Sequence, residues 1–248
     1  MTTKATWNAG VQEFYEGTTG ERVARMASLV YRDDFIGAGS AAIPAAGAAE
    51  NGVDWVKKIV GAAPPLVATV SNAVAGQVAC TLTSTSEKQD AALYWGDNLS
   101  IDVTKGAIFE SRFQLSVLPS VAAVQAVLGL ASAWIDGPNN NTCYIQIGAT
   151  GSGALLIRSF DGTTTVGPIA SAVTALATDW NVLRIDATVI TDVKIYLNGA
   201  QVTTAGQINF AATGALAVLQ PYAAMYKASG TGVGTLTVDY VKVWANRA

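Results

Sequence analysis

Apolar and polar positions alternate most regularly between Trp180 and Val202. Leu183, Ile185, Ala187 and Val189 fall on one side of an extended chain, and Val182, Arg184, Asp186 and Thr188 on the other. A period of two predicts a half-buried strand. Val193, Ile195 and Leu197 then alternate with Lys194 and Tyr196, Asn198-Gly199 follows, and Gln201-Val202 resumes beyond it. Asn-Gly between alternating runs predicts a tight hairpin, because a type I′ turn needs positive φ at both central residues. The second regular run is Ile108 to Val117. Phe109, Ser111, Phe113, Leu115 and Val117 share one face, and Ile108, Glu110, Arg112, Gln114 and Ser116 the other. One face is thus apolar and one wet, as in antiparallel sheets.

Shorter runs complete the pattern. Tyr31–Ile36, Val53–Val60, Leu66–Val70, Gly76–Thr83, Ala91–Trp95, Gln125–Ala133, Cys143–Gly148, Ala154–Phe160, Ala215–Gln220, Tyr222–Lys227 and Thr235–Trp244 are further strand candidates. They are separated by breakers: the Ala-, Gly- and Pro-rich Gly37–Gly52 loop, Pro64-Pro65, Gly96-Asp97-Asn98, Leu118-Pro119-Ser120, Asp136–Asn141 and the hairpin candidate Asp161-Gly162. About a dozen short strands, with no persuasive long helix, predict an all-β, antiparallel two-sheet sandwich of jelly-roll type. Residues 1–30 differ, being richer in charge. Glu21 to Leu29 has the composition for two short helical turns, which are marginal alone in water. We read 1–30 as an N-terminal arm that orders against something else, or as a strand or loop packed on its own domain, and 31–248 as the sandwich.

Composition narrows the function classes. Only 13% of the 248 residues are charged, against roughly a quarter in average globular proteins. Such a surface favours contact with further copies or with a partner. The net charge is −3, without a Lys or Arg run, which argues against nucleic acid. The first residues lack the basic-then-apolar pattern of a secretory signal. The longest apolar stretch, Val121 to Ile135, is too short to span a bilayer, so no membrane partner is expected and a cytoplasmic origin is. Cys80 and Cys143 sit in strand-like contexts and are read as small buried hydrophobes. The absence of histidine removes His-containing zinc sites and His-based hydrolase triads.

Three segments carry a resemblance: Trp180 leading into the strand–strand–Asn-Gly unit, the closing Gly234–Trp244, and Asp97–Asp102 followed by Phe109–Pro119. Together they resemble the concanavalin A-like lectin/glucanase (laminin-G-like) sandwich. They look like its versions in tailed-bacteriophage virion structural proteins, over about residues 31–246. This implies a non-enzymatic capsid decoration (cement) protein. Its partners would be the major capsid protein and its own copies, as homodimer or homotrimer, and it would sit on the virion surface after assembly in the host cytoplasm. The alternative is a lectin-like adhesin that binds a cell-surface glycan.

The glucanases of this fold resemble one another in a Glu-x-Asp-x-x-Glu strand, whose carboxylates flank the glycosidic oxygen. Here Glu110 has no carboxylate at positions 112 or 114, which hold Arg112 and Gln114, Asp186 is followed two residues on by Thr188, and Asp239 by Val241. No catalytic residue, cofactor or metal is therefore expected. Asp136–Asn141 has oxygen ligands that suit calcium, but those residue types also make plain turns. Candidate contact residues are Glu110, Arg112, Gln114, Arg184 and Asp186 on one polar face, and Phe14, Tyr15, Arg22 and Arg25 in the arm. Trp95 and Trp134, near turns, are candidates for stacking on sugar or for packing.

Overall fold

The computed structural model describes residues 29–36, 43–45 and 54–246, together with the backbone of three strands at 3–8, 11–16 and 22–26. Those three, Thr3–Asn8 (β1), Val11–Glu16 (β2) and Arg22–Met26 (β3), form an antiparallel meander. The helical turns expected from Glu21 to Leu29 are replaced by β3. Its backbone pairs with β2, from Gln12 opposite Met26 to Tyr15 opposite Arg22. Ladder hydrogen bonds thus take the place of helical ones that five isolated residues cannot sustain.

The remaining strands are Leu29–Asp33 (β4), Val56–Val60 (β5), Leu66–Thr69 (β6), Val78–Thr81 (β7), Gln89–Tyr94 (β8), Ile101–Asp102 (β9), Ala107–Val117 (β10) and Val124–Ala131 (β11). Tyr144–Ala149 (β12), Ala154–Phe160 (β13), Thr165–Thr174 (β14), Asn181–Ala187 (β15), Lys194–Leu197 (β16), Ala200–Gln201 (β17), Val218–Lys227 (β18) and Thr235–Ala245 (β19) follow. They build two antiparallel sheets of eight strands each. The first runs β17-β16-β15-β10-β19-β7-β6, with β4 continuing beside β19. The second runs β14-β13-β12-β11-β18-β8-β5, with β9 beside β18. The protein is an all-β jelly-roll sandwich. Among the described residues no helix is long and apolar enough to cross a membrane.

The best alternating runs fold as their patterns require. β10 alternates buried and half-buried positions almost throughout, with Phe109, Phe113 and Leu115 in the core. β15 sends in Leu183 and Ile185, and β16 sends in Ile195 and Leu197. Asn198 and Gly199 turn the chain at φ 52° and 84°. Cys80 and Cys143 are buried free thiols. β4 starts at Leu29 and pairs with β19, so the first sandwich strand begins before Tyr31.

One open alternative is resolved and two features depart from the expected pattern. Of the two roles open to Trp95 beside its turn, the structure shows packing: it lies in the core, edge-on to Tyr31 at 4.7 Å and to Trp55 at 6.0 Å. β14 has no counterpart among the expected strands, because Gly167-Pro168 and small residues interrupt its alternation. Ala215–Gln220 and Tyr222–Lys227 are not two strands divided by Pro221; most of that stretch is the single strand β18.

Pro221 is tolerated at the centre of the sheet for a specific reason. On that edge of β18, β9 reaches only Val218 and Leu219, and β8 begins at Tyr222. The missing N–H therefore falls in the gap between two neighbours. The Gln220 side chain fills this gap. Its Oε1 accepts from the Trp95 and Asp97 amides at 3.1 and 3.2 Å, and its Nε2 donates to Asp97 Oδ1 and the Ser132 carbonyl, both at 3.1 Å.

Candidate functional site

The outer face of the first sheet gathers the expected polar residues. Register puts Glu110 opposite Arg184 and Ile108 opposite Asp186 between β10 and β15. On the other side of β10, Lys242 lies opposite Glu110 and Tyr240 opposite Arg112. Glu110 Oε1 accepts from the Tyr240 hydroxyl at 3.0 Å and from Lys242 Nζ at 3.2 Å. Arg112 donates to Asp239 Oδ2 at 2.9 Å and stacks on Trp180 with 4.6 Å to the ring centre. Asp239 reaches Arg112 because the register shifts there, between Val238 and Tyr240. A bulge re-aims a side chain in this way.

Arg184 lies 4.0 Å from the Tyr196 ring centre. Gln114 donates to the Ala177 carbonyl. Asp186 Oδ1 accepts from the Thr188 amide and hydroxyl. The residues are brought together, and Glu110, Arg112, Gln114 and Asp186 are engaged with near neighbours, whereas Arg184 has only the Tyr196 ring and leaves its buried Nε without a hydrogen-bond partner. The arm residues Phe14, Tyr15, Arg22 and Arg25 have side chains outside the described residues.

The outer face of the second sheet is built differently. Register lines up a row of small positions: Ala92 on β8, Ala224 on β18, Val127 on β11 and Gly148 on β12. The next row runs Tyr94, Tyr222, Gly129, Gln146. Beside them lie Ala131, Tyr144 and Phe160. The result is a trough floored by small residues and walled by aromatics. At Gly129 a Cβ would come within 2.3 Å of the Ile145 carbonyl oxygen, so the β11–β12 approach excludes any larger residue.

Residues 132–142, the β11–β12 connection, occupy this trough. Ser132 and Cys143 close its base through a 2.8 Å backbone bond. Trp134 packs on the buried cluster of Val56, Tyr94, Tyr144 and Tyr222, and Lys58 Nζ lies 4.8 Å above its ring. The Trp134 amide donates to Asp97 Oδ1 at 2.7 Å. Asn139 forms an amide clip, donating to Gln125 Oε1 at 2.9 Å and accepting from Gln146 Nε2 at 3.1 Å. Asn140 and Asn141 hold the turn itself, through the Asp136 carbonyl and the Ile135 amide. Asp136 pairs with Lys88. The Asp136–Asn141 segment therefore spends several of its side-chain oxygens on latching a loop. No group of three or more acidic or cysteine ligands that could hold a metal occurs among the described residues.

Asp90 lies beneath this loop and is wholly buried. It sits opposite Tyr226 on β18 and Val60 on β5. Desolvation pushes its carboxyl up to about 7. The Gly137 amide and Trp134 indole oppose that rise, Asp136 adds to it, and Lys88 opposes it. Neither carboxylate oxygen has a hydrogen-bond partner of normal geometry within the protein. The same is true of Trp134 Nε1, Asp136 Oδ1, Asn141 Nδ2, Gln146 Oε1 and the Tyr222 hydroxyl. Buried polar groups are usually satisfied, so their concentration on one face is distinctive. Sequence inspection missed Asp90 because Ser86-Glu-Lys-Gln-Asp90 has the composition of a surface loop. The usable signal was its place one residue before the apolar Ala91–Trp95 run.

No family model matches the chain, and no curated protein matches it. Solved structures do share its fold. A protein of unknown function from Shewanella oneidensis MR-1 superposes with a TM-score of 0.59 at 12% identity, over 89% of each chain. A structure from work on endo-acting O-glycanases, with which members of the human gut microbiota initiate mucin breakdown, gives 0.56 at 13% identity, over 88% of this chain and 99% of that one. The carbohydrate recognition domain of Emp47p gives 0.52 at 10% identity, over 89% and 99%. These likenesses establish the concanavalin A-like jelly-roll sandwich. The same architecture serves catalysis and recognition, so function must be argued from the faces themselves.

Proposed function

We propose that this chain is a non-enzymatic structural protein of a tailed-bacteriophage virion, a decoration (cement) protein on the outer surface of the head shell. It binds the major capsid protein, associates with its own copies as a dimer or trimer, and joins the particle in the host cytoplasm. The observation that carries the reading is the finish of the first sheet's outer face. Trp180, Tyr196 and Tyr240 lie there with Arg112, Arg184 and Lys242, and the carboxylates Glu110 and Asp239 neutralise much of that charge. Aromatic and arginine side chains in a charge-compensated setting are the chemistry of protein–protein interfaces.

The meander adds a second contact region. Its register sets Ala5, Phe14 and Ala24 in one row and Trp7, Gln12 and Met26 in another. Ordering such an arm costs about 1–2 kcal/mol per residue, which a shell presenting many equivalent sites offsets through multivalency. The absence of a paired-carboxylate strand supports a non-catalytic role. On β8, the positions two and four beyond Asp90 are Ala92 and Tyr94.

A second reading, a lectin-like adhesin domain, is favoured by the aromatic trough and its cluster of unpartnered polar groups. There the Emp47p domain offers a parallel in fold. The test is co-sedimentation with expanded, undecorated phage heads, comparing the full chain with one lacking residues 1–28, which leaves β4 in place. Saturable binding supports the decoration role, and its loss on truncation makes the arm the anchor. No binding by either form, with retention on a glycan array, replaces it with the adhesin reading.

A further inference from the structure

The loop of residues 132–142 combines two features that pull in opposite directions. It is held down by the Asn139 amide clip, the Trp134–Asp97 bond and the Lys88–Asp136 pair. It also seals a carboxylate whose approaching donors, the Gly137 amide and the Trp134 indole of the loop itself, do not reach normal hydrogen-bond geometry. A buried, unpaired charge is costly, and such a group either stays protonated or draws in water. We infer that residues 132–142 are a pH-released cover over the aromatic trough of the second sheet, and that ionisation of Asp90 is what releases it.

The groups facing Asp90 fix how the device works. Asp136 on the loop and Lys88 beside β8 carry opposite charges but bind each other, so Lys88 is only partly available to Asp90. Tyr222 and Tyr226 on β18, and Cys80 on β7 behind the sheet, are neutral near pH 7; burial raises all three above their ordinary values. No cation is therefore dedicated to the ionised carboxylate. When the loop lifts, water solvates Asp90 and its pKa falls toward the ordinary value of about 4.

The sign follows from linkage. The closed form holds its proton up to about pH 7, whereas the open form loses it near pH 4. Opening therefore becomes more favourable as pH rises between those values, by up to tenfold per unit, and levels off above about pH 7. Opening exposes Tyr94, Tyr144 and Tyr222, which are 2, 4 and 1% exposed when the loop is closed.

Hydrogen exchange of the 132–142 amides in the full chain tests this, with rates corrected for the intrinsic pH dependence of exchange. From pH 5 to pH 7.5 the corrected opening ratio should rise by about tenfold or more and then flatten, and it should stay flat in Asp90→Asn. A loop equally protected at both pH values, or a rise of the same size in Asp90→Asn, would overturn the inference. Asp136→Asn, at the loop rim, guards against a variant that fails to fold. Removing its negative charge and freeing Lys88 should move the levelling-off to lower pH; an unmoved or raised value would also contradict the mechanism.

Discussion

Glu110, Arg112 and Arg184, on the outer face of the first sheet, each lie beside an opposite charge or a ring. Asp90, under the outer face of the second, has no ion-pair or hydrogen-bond partner of normal geometry, only the approach of the Gly137 amide and Trp134 indole from the covering loop. The first face is half-exposed and finished by cross-strand pairs. The second is a trough of small residues that the chain fills with its own connection. A surface of the first kind is ready for a partner as it stands. One of the second kind becomes available only when residues 132–142 move.

Changes on the second face should have the larger effects. Gly129→Val, which drives a side chain into the β12 backbone, should destabilise by about 3 kcal/mol or more, read as the shift in denaturant midpoint. A well-folded variant within 1 kcal/mol, by that rough scale, would show that β11 and β12 are not so close. Gln220→Ala should cost about 2–3 kcal/mol, because it strips partners from the Trp95 and Asp97 amides and the Ser132 carbonyl.

Asp90→Asn should alter a slope rather than a single value. Wild-type stability should fall from about pH 4 to pH 7 relative to the variant, because the folded carboxyl binds its proton more tightly than the unfolded one. The difference should grow by at most about 1.4 kcal/mol per pH unit. A difference that shrinks with rising pH would mean that Asp90 is stabilised as an anion. The smallest effect belongs to the first face. Glu110→Ala should cost about 1 kcal/mol or less, since its partners are partly solvated. A larger loss there, with little change at Gln220, would reverse the contrast.

The sequence made the first face far more legible than the second. The alternation of β10 and β15 put Glu110, Arg112 and Arg184 on one surface because those strands carry one wet and one dry side. Their partners Asp239, Tyr240 and Lys242 were not foreseeable, since they arrive on a strand distant in sequence and Asp239 depends on a bulge. The middle of the second sheet is covered on both sides: β8 is buried at every position and β18 at nearly every one. Period-two patterning fades there. Gln89 and Asp90 read as surface residues, and Pro221 reads as a strand end. Gly96-Asp97-Asn98 put Trp95 beside a turn, but left open whether its ring stacks outward or packs; the structure turns it back into the core.

The most direct measurement of the contrast is hydroxyl-radical footprinting of tyrosines by mass spectrometry at pH 5 and pH 8. Tyr196 and Tyr240 on the first face should be modified at both pH values, whereas Tyr94, Tyr144 and Tyr222 should be protected at pH 5 and gain modification at pH 8. Equal modification of the two sets at pH 5 would contradict the account, because it would mean that the trough of the second sheet stands open without its cover.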